Sequence, residues 1–214
     1  MRIFLFLFLS FWAVVSAEAQ QVASYFVSMP AALLPQIDTN RRKDMLDYYR
    51  ESQQSVVSNL FGGESSLLSL SDDYLAVSLS SKSTMQIKLL PLRGGETQLI
   101  AVVNTVCAPA CDSRIDFYDT DWQPLKRETY FPVPDDADFL SEYFKNEEPV
   151  LEAVRKIDIS LMQYCFSAEN TTLRVYSTFE DYMPEEISET IKPFVKKWIE
   201  YVWDGRRFSK RKLL

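Results

Sequence analysis

Paired carboxylates are the one route to hydrolytic chemistry that this chain leaves open, and the candidates are Asp72-Asp73 and the set Asp116, Asp119 and Asp121. Two acids about 5 to 10 Å apart can act on a glycosidic bond as acid and base, or as acid and nucleophile. The 214 residues include no histidine, which removes the Ser-His-Asp triad, the Cys-His dyad, the HExxH zinc site and the imidazole proton switch. Gly62, Gly63, Gly94, Gly95 and Gly205 match neither GxGxxG nor GxxxxGK, so no phosphate-cradling loop is expected. The S-x-x-K spacing falls only at Ser209 and Lys212, where a frayed tail would not hold a general base in place. Asp119 and Asp121 offer hard oxygen ligands for calcium, but the DxDxDG loop is lacking. Both acidic groups border strand-like runs, where turns use aspartate for local hydrogen bonds. We therefore expect no catalytic residue, no metal and no cofactor.

Aromatic residues make up 14% of the chain, and this surplus points to binding rather than catalysis. Trp122, Trp198, Trp203, Tyr201 and Tyr118 lie near strand ends, and exposed aromatics beside acids can form a platform for sugar rings or peptides. In the run 194–203, alternation puts Val195, Ile199, Tyr201 and Trp203 on one face and Trp198 with Lys196 and Glu200 on the other. The binding candidates are Trp198, Trp122, Tyr118, Asp119 and Asp121. The competing reading is that these aromatics fill a sheet core.

The elements that must position these groups begin after an export signal. Met1-Arg2, an apolar run over 3–15 and Ala17-Glu18-Ala19 have the three parts of a secretory signal peptide, with cleavage after Ala19. The apolar run is about 20 Å long as a helix, too short to cross a hydrocarbon core of about 30 Å. We expect a soluble exported protein, periplasmic or secreted, with no membrane span after cleavage. The formal charge of −7 includes a basic tail over 206–214, so residues 20–205 stand at −12 and would repel nucleic acid. In an oxidising compartment Cys107 and Cys111 can close a short loop, which leaves Cys165 unpaired; the alternative is that all three are small buried side chains.

Residues 20–214 are expected to form a single α+β domain. An extended arm over 25–37, marked by Met29-Pro30 and Leu34-Pro35, precedes a long N-terminal helix over 39–61 that packs on one face. Asp38 is its N-cap, Met45, Tyr49, Val56 and Leu60 its periodic positions, and Gly62-Gly63 its stop. Strands over 74–80, 84–90, 98–106 and 114–122 follow with short connections, which implies an antiparallel meander. The acidic stretch 135–148 reads as a helical turn or covering loop, and short helices are predicted from Pro149 to Lys156 and over 184–191. Strands over 157–167, 172–178, 194–203 and 206–210 complete the chain, with Asp204-Gly205 as a two-residue hairpin turn. The halves 38–134 and 135–214 each offer about four strands, which fits either a duplicated four-stranded unit or one irregular sheet.

With the segments in order, a family resemblance emerges. Met29-Pro-Ala-Ala-Leu-Leu-Pro35, Asn40-Arg-Arg-Lys-Asp-Met-Leu-Asp-Tyr-Tyr49, Leu70-Ser-Asp-Asp-Tyr74 with Lys88-Leu-Leu-Pro91, and Asp112-Ser-Arg-Ile-Asp-Phe-Tyr-Asp-Thr-Asp-Trp122 resemble a family of uncharacterised exported proteins of Bacteroidales. The likeness covers almost the whole chain after the signal. It implies a cell-envelope or secreted protein of a Gram-negative anaerobe and carries over no catalytic residue. The expected function is a non-enzymatic module binding a protein or glycan of the envelope, with a carboxylate-dependent glycan hydrolase as the alternative.

Overall fold

The computed structural model describes residues 21–95, 97–140, 148, 160–178, 181–182, 185, 188–189 and 192–211. The predicted signal at 1–19, the helix predicted from Pro149, most of that over 184–191 and part of the acidic stretch 135–148 lie outside the described residues.

Seven strands, β1 (Val56–Ser58), β2 (Glu64–Leu70), β3 (Tyr74–Ser80), β4 (Ser83–Pro91), β5 (Gln98–Cys107), β6 (Cys111–Tyr118) and β7 (Pro124–Leu125), pair antiparallel with their chain neighbours in one sheet. A second antiparallel sheet has the order β11 (Phe208–Lys210), β10 (Trp198–Trp203), β9 (Thr172–Ser177), β8 (Met162–Phe166). Alternation along β3, β4 and β5 buries both faces of the large sheet. Leu75, Val77, Met85, Ile87, Ile100 and Val102 meet two helices, α1 (Gln21–Ser28) and α2 (Thr39–Arg50). Tyr74, Ala76, Leu90, Ala101, Val103 and Phe117 face the small sheet. The order is therefore helices, large sheet, small sheet, and strands enclosed on both sides become nearly continuous apolar runs.

The α+β class and the antiparallel meander match the sequence reading, whereas several of its details are corrected. First, no long N-terminal helix forms. Asp38 does cap α2, accepting from Arg41 N–H at 2.9 Å, but the helix ends at Arg50. Glu51-Ser52-Gln53-Gln54-Ser55 supplies no apolar side chain to face the sheet, Ser52 takes φ +56, and Val56 and Val57 join β1 opposite Ser66 and Ser65. Second, the arm over 25–37 opens as helix. Val22, Ala23 and Phe26 bury one stripe of α1, and only after Ser28 does Pro30 turn the chain. Third, the halves are not two four-stranded units, because β1 and β2 extend the first sheet to seven strands.

The two-residue turn at Asp204-Gly205 is also a longer loop, since Trp203 pairs with Phe208. Asp204 Oδ1 accepts from Arg206 N–H (2.8 Å) and Arg207 N–H (2.9 Å), which makes the four-residue loop 204–207 the better hydrogen-bonded choice. Gly205 at φ +87 lies against Arg93, where a Cβ would approach Arg93 Cγ to 2.7 Å.

Side chains of the large sheet, rather than another strand, satisfy the outer edge of β8. Gln86 Nε2 donates to Tyr164 O (3.0 Å) while Gln86 Oε1 accepts from Phe166 N–H (2.9 Å), so one amide imitates a strand. Ser113 Oγ accepts from Tyr164 N–H (3.0 Å) and exchanges a bond with Thr105 Oγ1 (2.8 Å). Gln86→Leu keeps the bulk but strips two backbone groups of partners. We expect a loss of about 2 kcal/mol in urea unfolding; a loss below about 0.5 kcal/mol would show that this amide does not join the sheets.

Candidate functional site

The structure separates the five predicted binding residues. Tyr118 and Trp122 sit at the end of β6 and in the turn that follows, on the helix side of the large sheet, with ring centroids 5.4 Å apart. Trp122 adopts φ +62, is buried, and donates from Nε1 to Ser28 Oγ at 3.4 Å. As a surface platform residue it is therefore corrected: the left-handed turn folds the indole back beneath α1, where apolar burial outweighs exposure. Burial raises the Tyr118 phenol, with Asp116 adding to the effect.

Asp119 holds that turn together, and Asp121 joins it through its backbone. Asp119 Oδ1 accepts from Asp121 N–H and Gln123 N–H, both at 2.9 Å, and Asp119 N–H donates to Gln123 O at 3.1 Å. This is local turn chemistry. Asp116 is bound by Arg114, whose guanidinium donates at 2.9 and 3.0 Å. Asp73 lies in the β2–β3 turn and pairs at 2.8 Å with Lys88 Nζ, a fully buried ammonium that also sits 5.7 Å from the Tyr74 ring centroid. Four strand intervals, about 19 Å at about 4.8 Å each, separate the β2–β3 and β6–β7 turns along the sheet. That exceeds the spacing at which two carboxyl groups share a glycosidic bond. Among the described residues no three acids and cysteines gather as a metal set.

Cys107 and Cys111 are joined by a disulfide at the β5–β6 hairpin, where the two residues directly oppose each other. Cys165 is free and half-buried, and burial pushes its thiol up, away from the thiolate form a nucleophile needs.

Of the three aromatics, Trp198 alone lies on an open surface, 46% exposed on the outer face of the small sheet. Register assembles its neighbours. Trp198 opposes Tyr176, and Tyr176 opposes Gln163; one step along, Glu200 opposes Arg174, and Arg174 opposes Cys165. The Trp198 and Tyr176 rings are 5.9 Å apart, and the Arg174 guanidinium lies over the indole at 5.9 Å. Arg174 Nε donates to Glu200 Oε2 at 3.0 Å, which raises the Arg174 pKa, and Arg211 pairs with the other oxygen of Glu200. The guanidinium is thereby held against the ring. The basic run is anchored at Lys210, which lies in β11 and pairs with Asp138 at 2.9 Å. Arg174 and Tyr176 escaped the sequence reading because only β9–β10 register brings them beside Trp198. Alternation over 172–178 already placed both on one face, and that was the available signal.

The fold itself recurs. A solved domain of an uncharacterised protein from Porphyromonas gingivalis W83 is similar to this chain at 26% identity with a TM-score of 0.78, covering 89% of this chain and 99% of that one. No curated protein matches the chain. A family model described as "Protein of unknown function (DUF3256)" matches residues 14–208, in agreement with the resemblance carried by the four sequence segments, and the chain belongs to that family.

Proposed function

We propose that this protein is a non-enzymatic, exported binding module of the cell envelope that engages a protein or glycan through the outer face of its small sheet. The observation that carries the reading is the Trp198–Tyr176–Arg174 cluster, held in register by two strands and braced by Glu200. Tryptophan, tyrosine and arginine are the residues that most often dominate binding energy at interfaces, because they desolvate large areas at small entropic cost. The face is an open sheet surface, which suits a protein surface or stacked sugar rings. The disulfide supports an oxidising compartment. Among the described residues no helix is long and apolar enough to cross a membrane.

The test is a binding survey of the full chain against immobilised envelope glycans and purified envelope proteins, with Trp198→Ala beside the parent. We expect at least one ligand, and a loss of about 2 kcal/mol of binding in Trp198→Ala with an unchanged melting temperature. If every ligand found binds the variant as tightly as the parent, the outer face is not the site. Turnover of a glycan by the parent would overturn the non-enzymatic reading.

A further inference from the structure

The free edge of β1 keeps an unusual pair of unused backbone groups. Bonds from Asn59 N–H to Gly63 O (2.8 Å) and from Leu67 N–H to Ser55 O (3.1 Å) turn residues 55, 57 and 59 toward β2, so the backbone of Val56 and Ser58 points outward. Two of these four groups are taken within the chain: Val56 N–H donates to Gln54 O (2.9 Å), and Ser58 O accepts from Arg41 Nε (2.7 Å). Val56 C=O and Ser58 N–H have no partner among the described residues. One residue of a parallel strand placed opposite Val57 uses this pair, its N–H reaching Val56 C=O and its C=O accepting from Ser58 N–H. An antiparallel strand needs the two groups already occupied. A two-fold dimer would set β1 antiparallel to β1, so the edge disfavours a second copy of the chain.

The same edge is one wall of a groove of about 430 Å³, and the other wall is α2, through Asp38, Asn40, Arg41, Asp44 and Tyr48. Val57 points toward the helix side, where it packs against the core, so a residue opposite it in parallel register directs its side chain toward α2. Asp38 is neutralised by Arg41, whereas Asp44 is exposed and has no cation partner among the described residues. Beyond the strand, Leu60 and Phe61 are 54% and 69% exposed. Their loop is fixed, because Asn59 Oδ1 accepts from Phe61 N–H and Gly63 N–H, both at 3.0 Å. An apolar tip held this firmly has little ordering entropy left to lose on contact.

We propose that the β1 edge receives an extended segment of a partner protein, added parallel to β1, with lysine or arginine opposite Val57 and an apolar side chain further along against Leu60 and Phe61. This is strand addition, in which the backbone supplies affinity and alternate side chains supply selectivity. It is independent of the Trp198 face.

The test uses the full chain and a fluorescein-labelled octapeptide, Ser-Thr-Val-Lys-Val-Phe-Thr-Ser, beside its counterpart with glutamate for lysine. The lysine peptide should bind about tenfold more tightly than the glutamate one. Ser58→Pro removes the outward N–H but no ladder bond, and should weaken binding about tenfold with an unchanged melting temperature. Asp44→Lys, on the exposed helix face, should reverse the preference between the two peptides, which keeps the test decisive if the proline variant fails to fold. Absence of binding by both peptides, unaltered binding by both variants, or loss of binding in Trp198→Ala would each overturn the proposal.

Discussion

Arg42→Met is expected to destabilise the protein by about 4 kcal/mol in urea unfolding, the largest effect of any single substitution considered. Arg42 is 1% exposed, yet its guanidinium meets no carboxylate at hydrogen-bond distance among the described residues. It donates instead to carbonyls: from Nε to Ile37 (2.8 Å), from Nη1 to Met29 (2.5 Å), Phe26 and Val27 (3.3 Å each), and from Nη2 to Leu34 (3.4 Å). The carbonyls at the end of α1 lack intrahelical partners, and Met29, Leu34 and Ile37 in the connection to α2 are buried, so one side chain of α2 closes both sets. Burial lowers the Arg42 pKa and Asp38 opposes this, so the charge is costly to hold and more costly to leave without acceptors. Methionine keeps much of the volume and abandons the carbonyls. Arg42→Lys should recover less than half of the loss, because a single ammonium cannot reach acceptors arrayed around a planar fork. A loss below about 1 kcal/mol in Arg42→Met would mean that water serves those carbonyls instead.

Asp73→Ala should cost about 2 to 3 kcal/mol, and adding Lys88→Met should restore most of it. Lys88 has no exposed surface and Asp73 is 44% exposed, so the pair is an ammonium in the core tethered to a carboxylate at its mouth. Deleting the carboxylate strands the buried charge, whereas deleting both replaces a desolvated ion with an apolar chain of similar length. Lys88→Met alone should be near neutral for the same reason. Equal losses for Asp73→Ala and for the double variant would show that Asp73 serves the β2–β3 turn rather than Lys88, since its Oδ1 also accepts from Ser71 Oγ at 3.3 Å. A double-mutant cycle separates these contributions.

These two positions show where sequence reasoning stops. Arg42 and Lys88 both look like ordinary surface cations, one in the run Asn40-Arg-Arg-Lys43 and the other in an alternating strand. Nothing local marks them as buried; their burial depends on α1 folding back over α2 and on the small sheet covering β4. Trp122 was legible as an aromatic at a strand end that could serve either a surface platform or a core, and a left-handed φ at a non-glycine position decides for the core by reversing its direction. Trp198 was legible, since period-two alternation over 198–203 separates inward Ile199, Tyr201 and Trp203 from outward Trp198 and Glu200 without knowledge of the partner strand.

The amino-acid sequence by itself determined what depends on residues near one another: the α+β class, the spans of β3, β4, β5 and β9 to within two residues at each end, the Asp38 cap and family membership. It also excluded every chemistry that needs an imidazole. The tertiary structure alone decided how many strands each sheet holds, which cations are buried, which acids close turns and which aromatics meet on a face. Helical and strand periods act over a few residues, whereas pairing register and layer packing join side chains dozens of positions apart, as Gln86 is joined to Tyr164 and Arg42 to Phe26.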